Sequence, residues 1–211
     1  MNTFVEEYNK LMDKIYNLVT QKTSRDYKPL TDAQKEDMKE EEIEKWEKKA
    51  KKGILRNDSE MRRFMENMQT AIFGDKMAIL SEMGLTSHEN YNKKGQISLD
   101  TQKFTKALED NSSRVYETFA GGPNSVFESI KGIMKNYVGG SSSVFGQKAG
   151  LEKTASFTNN YYSTQLKTQA DLIKALQNKF DDKETSLYQK FATLESSMNK
   201  LNNQMNYFNQ S

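Results

Sequence analysis

The sequence predicts a mainly α fold: a helical bundle with coiled-coil character, one small β-hairpin and a long C-terminal helix. Three observations carry this expectation. Apolar residues recur three and four apart through most of the 211 residues. Only two prolines occur, while Lys, Glu, Gln, Met and Leu, all good helix formers, are abundant. Beyond Gly150 there is no further glycine or proline. With 35% hydrophobic residues and a mean hydropathy of −0.88, the core of such a bundle should be thin.

The first helix is marked by Phe4, Tyr8, Leu11, Ile15 and Leu18, with Val5, Met12 and Val19 widening the stripe. A chain that opens inside such a stripe, without a polar lead-in, reads as a piece of a longer one. The pattern stops after Thr23 at SRDYKPL. Thr31 with Gln34 then has the spacing of a capping box, and a short helix is expected through Met38. The next stretch, KEEEIEKWEKKAKKGILRND from Lys39 to Asp58, is sorted by sign. Glu40, Glu41 and Glu42 lie at one end and Lys48, Lys49, Lys51 and Lys52 at the other, the polarity that complements a helix macrodipole. Ile43, Trp46 and Ala50 share one face, and Gly53 is placed to end the helix as a left-handed C′ residue. Trp46, the only tryptophan, therefore anchors a short ordered helix, with Gly53, Leu55 and Asp58 forming its exit.

Asp58 or Ser59 is expected to cap a helix whose face is Met61, Phe64, Met65, Met68 and Ile72, ended by Gly74. The apolar runs 78–87 and 95–100 bracket the polar HENYNKK loop and predict the β-hairpin. Asp100 or Thr101 caps a helix carrying Phe104, Ala107 and Leu108, and a second short helix carries Val115 and Phe119. After the GGPNS turn, VFESIKGIMKNYV is a helix interrupted by Gly132, and residues 139–150 (GGSSSVFGQKAG) are a flexible joint. The chain thus divides into a helical region over 1–150, with the hairpin near 78–100, and a long C-terminal helix over 151–211. That helix is expected to pack back on the first, its last part serving assembly.

The last helix has the clearest pattern. Leu187, Phe191, Leu194, Met198, Leu201, Met205 and Phe208 step by four and three, an a/d seam of three heptads. Leu166, Ile173, Leu176 and Phe180 continue it upstream across a stutter-like slip. Asp181 and Asp182 lie in that slip, where a hinge or a fresh helix start is expected. The terminal heptads are polar outside their stripe, and a lone helix is marginal in water, so this seam reads as an assembly element.

Chemistry is hard to place anywhere. There are 31 Lys and Arg against 29 Asp and Glu, leaving +2, without the cationic excess of a nucleic-acid binder. No cysteine is present, which removes thiol catalysis, disulfides and cysteine metal sites. His88, the single histidine, falls in a polar loop. The glycines form no phosphate-cradling motif. The paired acids Glu6–Glu7, Glu40–Glu42 and Asp181–Asp182 are sequence neighbours that read as solvated faces. Met61, Met65, Met68, Met198 and Met205 sit at helical spacing as adaptable core or interface filler. No catalytic, cofactor-binding or metal residue is assigned, and an enzyme is not expected. No window approaches the roughly 18 apolar residues of a membrane span, and the charged first twenty residues form no signal-peptide core.

These motifs resemble a known family. YKPLTDAQKEDMKEEEIEKWEKKAKKGILRND is similar to a hallmark of the flagellar hook-associated protein 2 family, the filament-capping proteins of bacterial flagella. Pro29, Leu30, Thr31, Trp46, Glu47, Lys51, Gly53, Leu55 and Asp58 fall on it, while Lys39 stands where the family commonly caps the Trp helix with serine. GQISLDTQKFTKALEDNSSRVYETF resembles a second block through Gly95, Asp100, Ala107, Leu108, Val115 and Phe119. YQKFATLESSMNKLNNQMNYF resembles the family's terminal helix. The resemblance implies the C-terminal return of a leg domain, in a cap that guides flagellin polymerisation at the filament tip. It implies a homo-oligomeric ring, pentameric in the assembled cap, with flagellin, hook–filament junction proteins and a flagellar export chaperone as partners. Secretion by the flagellar type III route, an extracellular place on the flagellum and contact with host surfaces are implied in the same way. A generic extracellular coiled-coil tether or adhesin is the alternative; it explains the heptads and leaves the Trp helix with its GILRND exit unexplained.

Overall fold

The structure is a computed structural model that describes residues 1–89 and 94–209, the last three as backbone alone. Two compact units divide it, residues 1–144 and 145–211. In the first, helix α1 (Asn2–Thr20) buries Tyr8, Met12, Ile15 and Val19, a line one position along from Phe4, Leu11 and Leu18. Two short helices follow, α2 (Asp32–Glu36) and α3 (Glu40–Ala50). Then comes α4 (Ser59–Ile72), which buries Phe64, Met65, Met68 and Ile72.

The expected hairpin forms with a smaller strand content. Met77–Glu82 is a helix, α5, and only Leu85–Ser87 becomes strand β1. The reason is spacing: a helical turn places Leu80 and then Met83 in the core, both at 3% exposure or less, where alternation would have turned one outward. Gly84 makes the change of direction at φ +85. A Cβ there would lie 2.7 Å from the Asp100 carbonyl oxygen, so the position admits little else. Strand β2 (Ile97–Leu99) pairs antiparallel with β1, Thr86 opposite Ser98. Residues 90–93 of the connecting loop lie outside the described residues. The outer side of β2 is tied to α1 by one side chain. The Asn9 amide donates to the Ile97 carbonyl and accepts from the Ile97 N–H, both at 2.8 Å.

Helix α6 (Thr101–Ala120) starts on Asp100, whose carboxylate accepts from the N–H groups of Gln102 and Lys103. Its backbone breaks at Asn111 (φ −160, ψ 82), giving the two helices that the pattern predicts. The Asn111 side chain caps the second by accepting from Arg114 N–H at 2.9 Å. Helix α7 (Val126–Val138) runs through Gly132 without the expected interruption. One glycine costs a helix only about 1 kcal/mol, which the burial of Val126 and Tyr137 offsets. The core lies where α4 meets α7 and α1, and where α1 meets strand β2. Phe64 stacks edge-on against Tyr137 at 5.0 Å. Phe4 and Phe119 both approach Phe127, at 5.3 and 5.8 Å.

The stretch expected as a loose joint contains a helix, α8 (Val144–Ala149). A knot of turns follows, and its key is the buried Asn160. The Asn160 amide donates to the carbonyls of Ser156 and Phe157 and accepts from Ser163 N–H. It thereby caps α9 (Tyr161–Asn209), which starts about ten residues later than the absence of glycine suggests. At 49 residues and a 1.5 Å rise, α9 is about 74 Å long. It continues through Asp181 and Asp182, so the expected hinge does not form. Aspartate inside a helix costs only tenths of a kcal/mol, too little to break a ladder intact on both sides.

Candidate functional site

The Trp46 segment is built on a frame of caps. The Thr31 hydroxyl accepts from Gln34 N–H while the Gln34 side chain accepts from Thr31 N–H, closing the capping box of α2. A new helix still begins after Lys39, whose side chain has no acceptor to offer. Only the reciprocal half of a box forms, the Glu42 carboxylate accepting from Lys39 N–H at 3.2 Å. On the half-buried face of α3, the Trp46 indole Nε1–H donates to the Lys28 carbonyl at 2.7 Å. Tyr27 meets the indole edge-on at 4.8 Å. Lys49 lies 4.5 Å from the centre of the Tyr27 ring and donates to its hydroxyl, a cation–π pair. Glu47 joins α3 to α2 through Lys35 at 2.7 Å and also pairs with Lys51 at 3.4 Å. The Lys35 ammonium, and after it Lys51, holds the Glu47 carboxyl below the usual glutamate range.

Past α3 the chain turns back. Gly53 has φ +72 and falls one residue beyond the expected C′ position, since the helix is capped at Lys51. A Cβ on Gly53 would lie 2.6 Å from the Thr23 nitrogen, and its N–H donates to the Gln21 side chain at 3.2 Å. Leu55 is half-buried and Ile54 is 72% exposed. Asp58 caps α4, accepting from Met61 N–H at 2.9 Å. Trp46, Gly53 and Asp58 thus hold the strap, the turn and the exit of one excursion of the chain. Pro29, Leu30, Ala50 and Ile54 line a shallow groove of about 270 Å3 beside the Lys35–Glu47–Lys51 pairs.

The seam belongs to α9. Leu187, Phe191, Leu194, Met198, Leu201 and Met205 are each more than half exposed; the side chain of Phe208 lies outside the described residues. Upstream, Leu166, Ile173, Leu176 and Phe180 are exposed as well. A straight helix drifts by about 20° per heptad, and an eleven-residue spacing drifts back. Leu176 and Leu187 are eleven apart, so the slip returns the stripe to the face it had begun to leave. The upstream and downstream segments therefore form one line of apolar side chains along an unbroken helix.

No group of three or more potential metal-ligating side chains converges among the described residues. No described helix is long and apolar enough to cross a membrane. What the fold does offer is surface: a charge-sorted helix, α3, in one unit and an exposed apolar line along α9 in the other.

The profile described as flagellar hook-associated protein 2 C-terminus matches residues 1–203, and the chain belongs to the flagellar hook-associated protein 2 family, a structural family of the flagellum and not one of enzymes. A flagellar hook-associated protein 2 from Halalkalibacterium halodurans is 31% identical over 132 residues, 60% of this chain and 25% of the relative. Another from Thermotoga maritima is 25% identical over 217 aligned residues, 98% of this chain and 32% of the relative. The chain therefore spans about a quarter to a third of the length of the curated relatives it matches. No solved structure gives a significant match.

Proposed function

We propose that the protein to which this chain belongs caps the bacterial flagellar filament, guiding flagellin subunits into place at the tip as a ring-shaped homo-oligomer. The chain supplies the helical leg of that cap, and the α9 seam, Leu187 to Phe208, makes contacts with neighbouring subunits and flagellin. Trp46, Gly53, Leu55 and Asp58 hold the leg's lobe in shape. The observation that carries the reading is the family match along residues 1–203, joined to an apolar line left exposed on α9. Such a stripe has a reason to persist only if something covers it. The cap acts outside the cell after export by the flagellar type III route, in a pentameric ring adjoining the hook–filament junction proteins, with an export chaperone as its partner before secretion. A plain tether would need the seam alone and gives the capped, ion-paired lobe no purpose.

The test replaces Leu194 and Leu201 by aspartate in the intact parent protein and asks whether it restores filaments to a cap-deficient strain. Filament growth should be abolished while the helical unit over 1–144 keeps its near-ultraviolet circular dichroism. Normal motility with the double variant would remove the seam from the mechanism. Failure of the unaltered parent to restore filaments would remove the cap reading itself.

A further inference from the structure

The excursion between α1 and α4 is attached differently from everything else in its unit. The chain leaves the core after Thr20 and returns at Asp58, and within residues 21–57 no side chain is buried; Gly53 alone reaches that class. Neither α2 nor α3 packs broadly on another helix. The core beside it is built from fully buried Met12, Met68, Ile72, Leu80, Leu85, Ile97 and Val126.

The pieces of the excursion are nonetheless tied to one another. Trp46 binds the strap to α3 through the Lys28 carbonyl and Tyr27, Glu47 binds α3 to α2 through Lys35, and Gly53 closes on Gln21 and Thr23. The link to the core is a narrow neck. Asn57 N–H donates to the Val19 carbonyl at 2.9 Å, and Arg62 of α4 donates to the Asn57 side chain at 2.6 Å. Asn57 itself is held at φ +62, a conformation that few residues accept.

We infer that residues 21–57 form a separately cooperative lobe that opens on the Val19–Asn57 neck while the core stays folded. Cooperative units within a domain follow the density of buried contact, and here that density drops at both ends of the excursion. The internal ties keep strap, α2 and α3 together, so the lobe opens as one body. Gly53 sets how readily it does so, because a side chain there would push the strap from the turn.

Native-state hydrogen exchange on the 211-residue chain, followed across sub-denaturing guanidinium, tests this directly. The protected amides of α2 and α3 should share one opening whose denaturant dependence is smaller than that of α4 and α7. Gly53→Ala should lower protection in α3 by at least about tenfold, the cost of a strained backbone position. Val126→Ala in the buried core should instead lower protection in α4 and α7 and leave the α2–α3 opening unchanged, since the core is intact before and after that opening. Three results overturn the inference: α3 amides that exchange only with α4 and α7, α3 amides that fray one by one without denaturant dependence, or a Val126→Ala effect that reaches α3 as strongly as α4 and α7.

Discussion

Tyr8 shows how much chemistry one core residue carries. Its place on the apolar stripe of α1 is readable from spacing alone, and it is 5% exposed. Its hydroxyl, however, has no hydrogen-bond partner among the described residues, which no pattern of apolar letters could reveal. A buried, unpaired hydroxyl costs about 1–3 kcal/mol, so Tyr8→Phe should raise unfolding free energy by about 1 kcal/mol in urea titrations. Burial also pushes the phenol well above its ordinary range. The unfolded chain then releases this proton near pH ~10 while the folded chain keeps it. Tyr8's contribution to stability is present below that pH and is lost as pH rises. The advantage of Tyr8→Phe should therefore widen between pH 8 and about 11. A constant gap across that interval would mean that the hydroxyl is solvated after all.

At the scale of elements, three helix starts were legible because capping is local, while the start of α9 on Asn160 was not. Thr31 with Gln34, Asp58 and Asp100 all cap the helices their spacing points to. Extents were less legible, because they depend on what an element meets. Gly132 looks like a break in isolation, yet α7 is continuous, held by burial on its other face. A Cβ there would meet nothing within 4 Å, so Gly132→Ala should stabilise by about 0.5–1 kcal/mol and raise the melting temperature by a few degrees. A lower melting temperature would show the site to be crowded. Asp181 and Asp182 teach the same lesson in α9: weak propensity does not make a hinge inside a long helix. The lobe was half visible, since its sorted charges predict α3. Its neck was not, because Val19 and Asn57 become partners only once α2 and α3 have brought the chain back.

For the molecule as a whole, the fold class, the hairpin and the long last helix followed from composition and period, and the family resemblance from colinear motifs. What composition could not give is the uneven distribution of burial, a dense core in residues 1–144 and exposed apolar line along α9. If that line serves association, helicity at 222 nm should rise with protein concentration, and Leu194→Asp with Leu201→Asp should remove the rise. Concentration-independent helicity in both proteins would leave the seam without an associative role. One small feature bears on the exposed edge of the hairpin. The Asn9 amide occupies both outward-facing polar groups of Ile97, at 2.8 Å each, so it stands as a one-residue substitute for a third strand. An open strand edge is where proteins misassemble into fibrils. By filling this one at Ile97 from within, Asn9 leaves β2 fewer free backbone groups to offer a strand from outside.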